Sequence, residues 1–185
     1  IDTMDTINRQ VDDIKNLVDE FSNFARMPAP NMQKCNIKNI IDSAISLFDL
    51  ETNKIVIDLD KKSLDHFVKC DDSQINRVFN NLIINSIHSI ETKYKNETGG
   101  IIYIDAILKD NYLKIKIFDN GQGLSHKEED LLKPYFSTKE KNIGTGLGLS
   151  IVEKIISEHG GNFHIYNLDD KSGACSEFTL RLFND

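Results

Sequence analysis

The chain has 185 residues, of which 39% are hydrophobic and 28% charged, with a formal net charge of -7. This composition fits one or two globular domains and excludes a disordered or collagen-like chain. Apolar runs such as Leu82–Ile84 fall far short of the roughly 18 residues a membrane span needs, and the acidic balance argues against a nucleic-acid partner, which calls for a basic surplus.

Cys35, Cys70 and Cys175 are widely separated and form no C-x-x-C pair. Reduced thiols in a cytoplasmic protein are expected, not a zinc site or a disulfide framework. Met4, Ile7, Val11, Ile14, Val18, Phe21 and Ala25 recur at alternating intervals of three and four, a heptad seam that one helix cannot bury alone. A homodimeric bundle is therefore expected through this N-terminal helix. The chain opens at Ile1 already in helical pattern, so a segment of a longer polypeptide is expected, with any membrane-spanning part upstream. Pro28 and Pro30 stop the helix, which divides the chain into a helical segment, 1–30, and a second domain, 31–185.

From Asn36 the pattern becomes mixed. Asn36 can cap a helix with Ile37, Ile40, Ile41, Ala44, Ile45 and Phe48 on its apolar face. Strands are predicted at Ile55 to Leu59 and Phe67 to Cys70. A long helix follows from about Ser73 to Glu91, with Ile75, Val78, Phe79, Leu82, Ile83 and Ile90 inward. Ile101 to Lys109 and Tyr112 to Asp119 read as antiparallel strands joined at Asp110-Asn111. Residues 120 to 146 form a long polar loop or lid with a short helix near Lys127 to Leu132. Leu147 to His159 reads as helix, stopped by Gly160-Gly161, and strands at Phe163 to Asn167 and Cys175 to Phe183 end the chain.

Three motifs carry chemistry. Asn81 and Asn85, four apart on the long helix, share one face; taken alone they fit a solvated polar stripe as well as oxygen ligands for a hard cation such as Mg²⁺. Asp119-Asn120-Gly121-Gln122-Gly123 follows a strand directly, so the carboxylate sits at the strand end and the glycines allow close backbone approach. A plain Asn-Gly hairpin would need a second alternating strand after Gly123, and none follows. Gly144-Thr145-Gly146-Leu147-Gly148-Leu149-Ser150 opens a helix, where backbone donors and the helix end suit phosphate. The stretch before it is no apolar strand and there is no Gly-Lys-Ser/Thr sequence, which disfavours both dinucleotide and P-loop folds.

In this order, and with Pro134-Tyr135-Phe136-Ser137-Thr138-Lys139 between the last two, the motifs resemble the N, G1, F and G2 boxes of sensor histidine kinases. The resemblance covers roughly residues 36 to 183, and residues 1 to 27 resemble the second helix of the dimerisation and phosphotransfer hairpin. Phe24-Ala25-Arg26-Met27-Pro28 is similar to the nitrogen-regulation, NtrY-type branch. The implied fold is α+β: a two-layer sandwich of a mixed sheet with helices on one face, of the Bergerat ATP-binding type, preceded by one long helix of a dimeric bundle.

The resemblance further implies an ATP site made of Asn81, Asn85, His88, Asp119, Gly121, Gly123, Leu124, Thr138, Lys139, Gly144, Thr145, Gly146, Leu147, Gly148 and Ser176. In it Asp119 accepts from the adenine amino group, Asn85 holds Mg²⁺, and the glycines wrap the triphosphate. Ser176 falls where the family often has Thr beside the adenine, and His88 either touches phosphate or is simply exposed.

Gyrase and MutL, which share the ATP fold, place a Glu four residues before the metal-binding Asn, as general base for water. Asn81 occupies that position here and is a poor base. Phosphoryl transfer to a histidine is therefore expected, not hydrolysis. The five histidines, His66, His88, His126, His159 and His164, all lie outside the N-terminal helix, so the acceptor is expected on an upstream helix, and no autophosphorylation by this segment alone. A response regulator is the implied partner. The competing readings are a non-catalytic nucleotide-binding regulatory module and a gyrase-like ATPase. His126 and His159 read as exposed or capping residues.

Overall fold

Asn36 ends a strand and starts a helix. In the computed structural model, which describes residues 7, 11, 15, 18, 22, 26–48, 55–95, 97–136, 146–169 and 172–183, Asn36 has extended backbone and its Oδ1 accepts from Asn39 N–H over 3.3 Å. That bond satisfies one of the free donors of the first helical turn. Helix α1 (Ile37–Ile45) then buries Ile37, Ile40, Ile41 and Ala44 on one stripe. The strand before it, β1 (Gln33–Asn36), pairs antiparallel with β3 (Phe67–Cys70). Sequence patterning does not predict β1, because a four-residue strand with Cys35 as its one buried side chain shows no alternation.

Helix α2 (Asp72–Tyr94) is three residues longer at its C-terminal end than its apolar pattern predicts. It starts where Asp71 accepts from Gln74 N–H over 3.1 Å and stops at Lys95 in left-handed conformation, φ 49°. Ile75, Val78, Phe79, Leu82, Ile83, Ile87 and Ile90 are buried along it. The main sheet has the strand order β2 (Ile55–Leu59), β4 (Gly100–Lys109), β5 (Tyr112–Asp119), β7 (Ala174–Arg181) and β6 (Phe163–Asn167). The β2–β4 pair is parallel and the others antiparallel. A parallel pair needs a crossover, and α2 lies within it. Of the two turn residues between β4 and β5, Asp110 takes the positive φ, 54°.

Alternation decides the layers. Leu113, Ile115 and Ile117 of β5 are fully buried against the helices, while Lys114, Lys116 and Phe118 between them face the other, half-exposed side. Helices α1, α2 and α4 (Gly148–Glu158) cover a single face of the sheet, giving the two-layer α+β sandwich implied by the motifs. Phe79 of α2 meets Phe178 of β7 edge to face at 5.5 Å between ring centroids, across the middle of the core.

All three cysteines are free and buried, and burial pushes the Cys175 thiol up to about 11; such thiols are inert. Ile7, Val11, Lys15, Val18 and Ser22 have helical backbone, and Ile7, Val11 and Val18 are about half exposed. The other seam positions Met4, Ile14, Phe21 and Ala25 lie outside the described residues. Met27 packs against the core. No helix among the described residues is long and apolar enough to cross a membrane.

Candidate functional site

Two elements meet at the C-terminal end of β5. Asp119 is its last residue, paired in register with Ala174, and the loop that follows turns back over α2. Gly121 makes this turn possible: a Cβ there would run into Ser89, both backbone and side chain. Its N–H donates to Asp119 Oδ1 over 2.9 Å. Gln122 N–H donates to the Ser89 carbonyl over 3.2 Å. Gly123 follows with φ +77°, and a Cβ there would sit 2.7 Å from Asn167 Oδ1. Asn120 secures the other side of the loop, accepting from Ile101 N–H over 2.8 Å and donating to the Tyr94 hydroxyl and the Gly99 carbonyl.

These contacts leave a cavity of about 620 Å³ between α2, the loop, α3 (Glu128–Leu131), α4 and the ends of β6 and β7, within the usual size range of small-molecule sites. Leu82, Leu131, Leu149 and Ile165 supply its apolar wall, and Asn85, Ser86, His88, Ser89, Asp119 and Ser176 supply convergent polar groups. Asp119 is 8% exposed. Burial raises its carboxyl above the ordinary range, and hydrogen bonds from Gly121, Ser89 and Ser86 oppose the rise.

Of the residues singled out from the sequence, Asn85, His88, Asp119, Gly123, Leu124 and Ser176 line this cavity, and Gly121 shapes its floor. Asn81 does not line it. Its amide donates to the Arg77 carbonyl over 2.8 Å, and its Oδ1 lies 3.0 Å from where a Cβ of Gly148 would be, beneath the first turn of α4. Leu147 is fully buried in the core. Gly146 accepts from Tyr135 N–H over 3.0 Å, which ties the Pro134-Tyr135-Phe136 segment to the start of α4. Thr138, Lys139, Gly144 and Thr145 lie outside the described residues.

Several residues at or behind the cavity wall escape motif reading. Ser89 and Thr92 continue the Asn81–Asn85 stripe at helical spacing, a signal present in the sequence. Asn167 and Gly173 carry no such signal: Gly173 packs directly on the Asp119 carbonyl, a contact that exists only once β7 lies beside β5. His126 is exposed, with its ring edge to face on Phe136 at 5.1 Å. His159 is buried and caps α4.

Residues 70–184 match the family of histidine kinase-, DNA gyrase B- and HSP90-like ATPases. The chain belongs to this family.

Within it, the similar proteins are sensor kinases. The nitrogen regulation protein NtrY of Azorhizobium caulinodans is 37% identical over 179 residues, 96% of this chain and 23% of that protein. The chain spans about a quarter of the length of the curated relatives it matches. The catalytic domain of the histidine kinase ThkA superposes with a TM-score of 0.68 at 26% identity, over 82% of this chain and 96% of that one. ThkA in complex with its response regulator TrrA shares the fold, with a TM-score of 0.75 at 22% identity over 96% of this chain and 50% of that one. ATP is the ligand of such ATPase domains, and the cavity joins a buried carboxylate at its floor to apolar walls beside the start of α4. Among the described residues no three His, Cys, Asp or Glu side chains gather to hold a metal.

Proposed function

We propose that this chain is the ATP-binding catalytic part of a sensor protein-histidine kinase of the NtrY type, which transfers the ATP γ-phosphoryl group to a histidine outside these 185 residues. The observation that carries the reading is Asp119, an almost fully buried carboxylate facing a cavity that Asn85 and His88 border. Asp119 accepts from the adenine amino group, and Ser176 stands beside the base. Asn85 lends its amide oxygen to Mg²⁺, which neutralises phosphate charge when bound. Gly144, Gly146 and Gly148 wrap the triphosphate with backbone donors, flanked by Thr145 and Leu147, with Asn81 near the phosphates and Thr138 and Lys139 near the lid. His88 borders the same cavity.

The neutral Asn81 favours transfer over hydrolysis, because a bound water finds no carboxylate base there. Catalysis in such a site is mainly positioning and charge neutralisation. The domain boundary lies near residue 30, with residues 1–30 as one helix of a homodimeric hairpin bundle. A response regulator receives the phosphoryl group. The location is cytoplasmic, with any membrane anchor upstream.

Calorimetric titration with a non-hydrolysable ATP analogue, with and without Mg²⁺, tests the site. Binding that needs Mg²⁺ and is lost in Asn85→Ala is the expected result; no binding under either condition sinks the reading in favour of a regulatory module. Addition of a separate dimerisation hairpin carrying the acceptor histidine tests the transfer: labelled phosphate should appear on the hairpin and not on this chain.

A further inference from the structure

Ser86 and Ser89 belong to no motif, yet both hydroxyls end on one carboxylate. Ser86 Oγ donates to Asp119 Oδ2 and Ser89 Oγ to Asp119 Oδ1, each over 3.3 Å. Spacing of three residues puts both on the face of α2 that borders the cavity. Ser89 does more than donate: its carbonyl accepts from Gln122 N–H, and Gly121 rests against it. The helix and the loop are thereby locked together around Asp119.

We propose that Ser86 and Ser89 are positioning residues that hold Asp119 as an ionised acceptor for the amino group of adenine, and so set the choice of adenine over a 6-oxopurine. The inference rests on the ATP reading above.

A buried carboxyl has two states of opposite hydrogen-bonding sense. Ionised, it only accepts; protonated, it also donates. An acceptor matches the exocyclic amine of adenine, whereas a donor matches the 6-carbonyl of guanine or hypoxanthine. Burial drives Asp119 toward the protonated form, and hydrogen bonds from Gly121, Ser89 and Ser86 oppose it. The Gly121 donor is backbone, so the two serines are the part a side chain decides. The other titratable side chains lining the cavity are His88 and Glu91, both on α2. The walls from α3, α4, β6 and β7 are Leu131, Leu149, Ile165, Ala174 and Ser176, none of them ionisable near neutral pH.

Two measurements on wild type and S86A/S89A test this, and alanine is a better helix former than serine, so α2 is kept. The first is a carbon-13 NMR titration of the Asp119 carboxyl in nucleotide-free protein, which needs no ligand. Its midpoint should move to higher pH in the double variant, and an unmoved midpoint overturns the inference. The second compares ATP with inosine triphosphate by calorimetry across the same pH range. The pH below which ATP affinity falls should move upward in the double variant, in step with the NMR midpoint, while inosine triphosphate affinity changes less. An unchanged affinity ratio overturns the selectivity. Wild-type protein that binds neither nucleotide overturns the ATP reading itself, and the NMR midpoint separates that failure from a failure of the serines.

Discussion

Asn167, the last residue of β6, grips the backbone of Leu124 from both sides. Leu124 N–H donates to Asn167 Oδ1 over 2.6 Å, and Asn167 Nδ2 donates to the Leu124 carbonyl over 3.0 Å. This two-point clamp sits where the Asp119–Gly123 loop gives way to the lid segment that begins at Ser125, and the same Oδ1 leaves no room for a side chain at Gly123. Glu128 adds a second tie, accepting from Ile165 N–H over 2.9 Å, which fills a donor on an edge strand.

Asn167→Ala should therefore loosen the root of the lid. The expected effects are a stability loss of about 1 to 2 kcal/mol in chemical denaturation and faster amide exchange at Leu124. Exchange as slow as in the wild type would show that the clamp does not hold this junction.

Asp119→Asn should separate stability from binding. The folded carboxyl titrates above its unfolded value, so its contribution to stability is fully present below the unfolded value and is lost as pH rises through the folded one. At neutral pH the buried charge is a net liability, and the asparagine variant should melt no lower than wild type. ATP-analogue affinity should meanwhile fall by about 1 to 3 kcal/mol, as for a lost hydrogen bond to a charged group. Wild-type ATP affinity should itself weaken as pH falls through the raised value, because the acceptor is protonated. A variant that binds as tightly as wild type removes Asp119 from the base site.

His159 is a structural strut. Its Nδ1–H donates to the Ile155 carbonyl over 2.7 Å, and its Nε2 accepts from Asp71 N–H over 3.0 Å, joining the end of α4 to the start of α2. His159→Ala strands a buried backbone donor, which costs about 1 to 3 kcal/mol. A lower denaturation midpoint with unchanged nucleotide affinity is the expected pair of results. Loss of affinity at unchanged stability would point instead to a role at the site.

Gln74 of α2 holds the segment that precedes β1. It is 8% exposed, and its Nε2 donates to the Pro28 carbonyl over 3.0 Å, while Asn31 N–H donates to Asp71 Oδ2 over 2.9 Å. Gln74→Ala should release residues 26–31, seen as faster limited proteolysis there with nucleotide affinity unchanged. Proteolysis at the wild-type rate would mean that the Asn31 bond and the Met27 contact suffice.

Periodicity by itself determined most of this protein's elements. The apolar stripe of α2, the alternation of β5 and the breaks at Asp110 and Gly160 are local properties, each imposed by backbone geometry over a few residues, and the four ordered motifs were enough to point to the kinase family. The cavity was legible in part: Asp119 and Asn85 declare themselves by type and spacing, and Ser89 by its place on the same helical stripe. Only the tertiary structure turned Asn81 under α4 and away from the cavity, set Asn167 on Leu124 across 43 residues, aimed Ser86 and Ser89 at a strand end 33 and 30 residues away, and paired β1 with β3. Such contacts follow from the strand order β2-β4-β5-β7-β6. That order is decided by which faces the whole chain can bury together, and local spacing carries no record of it.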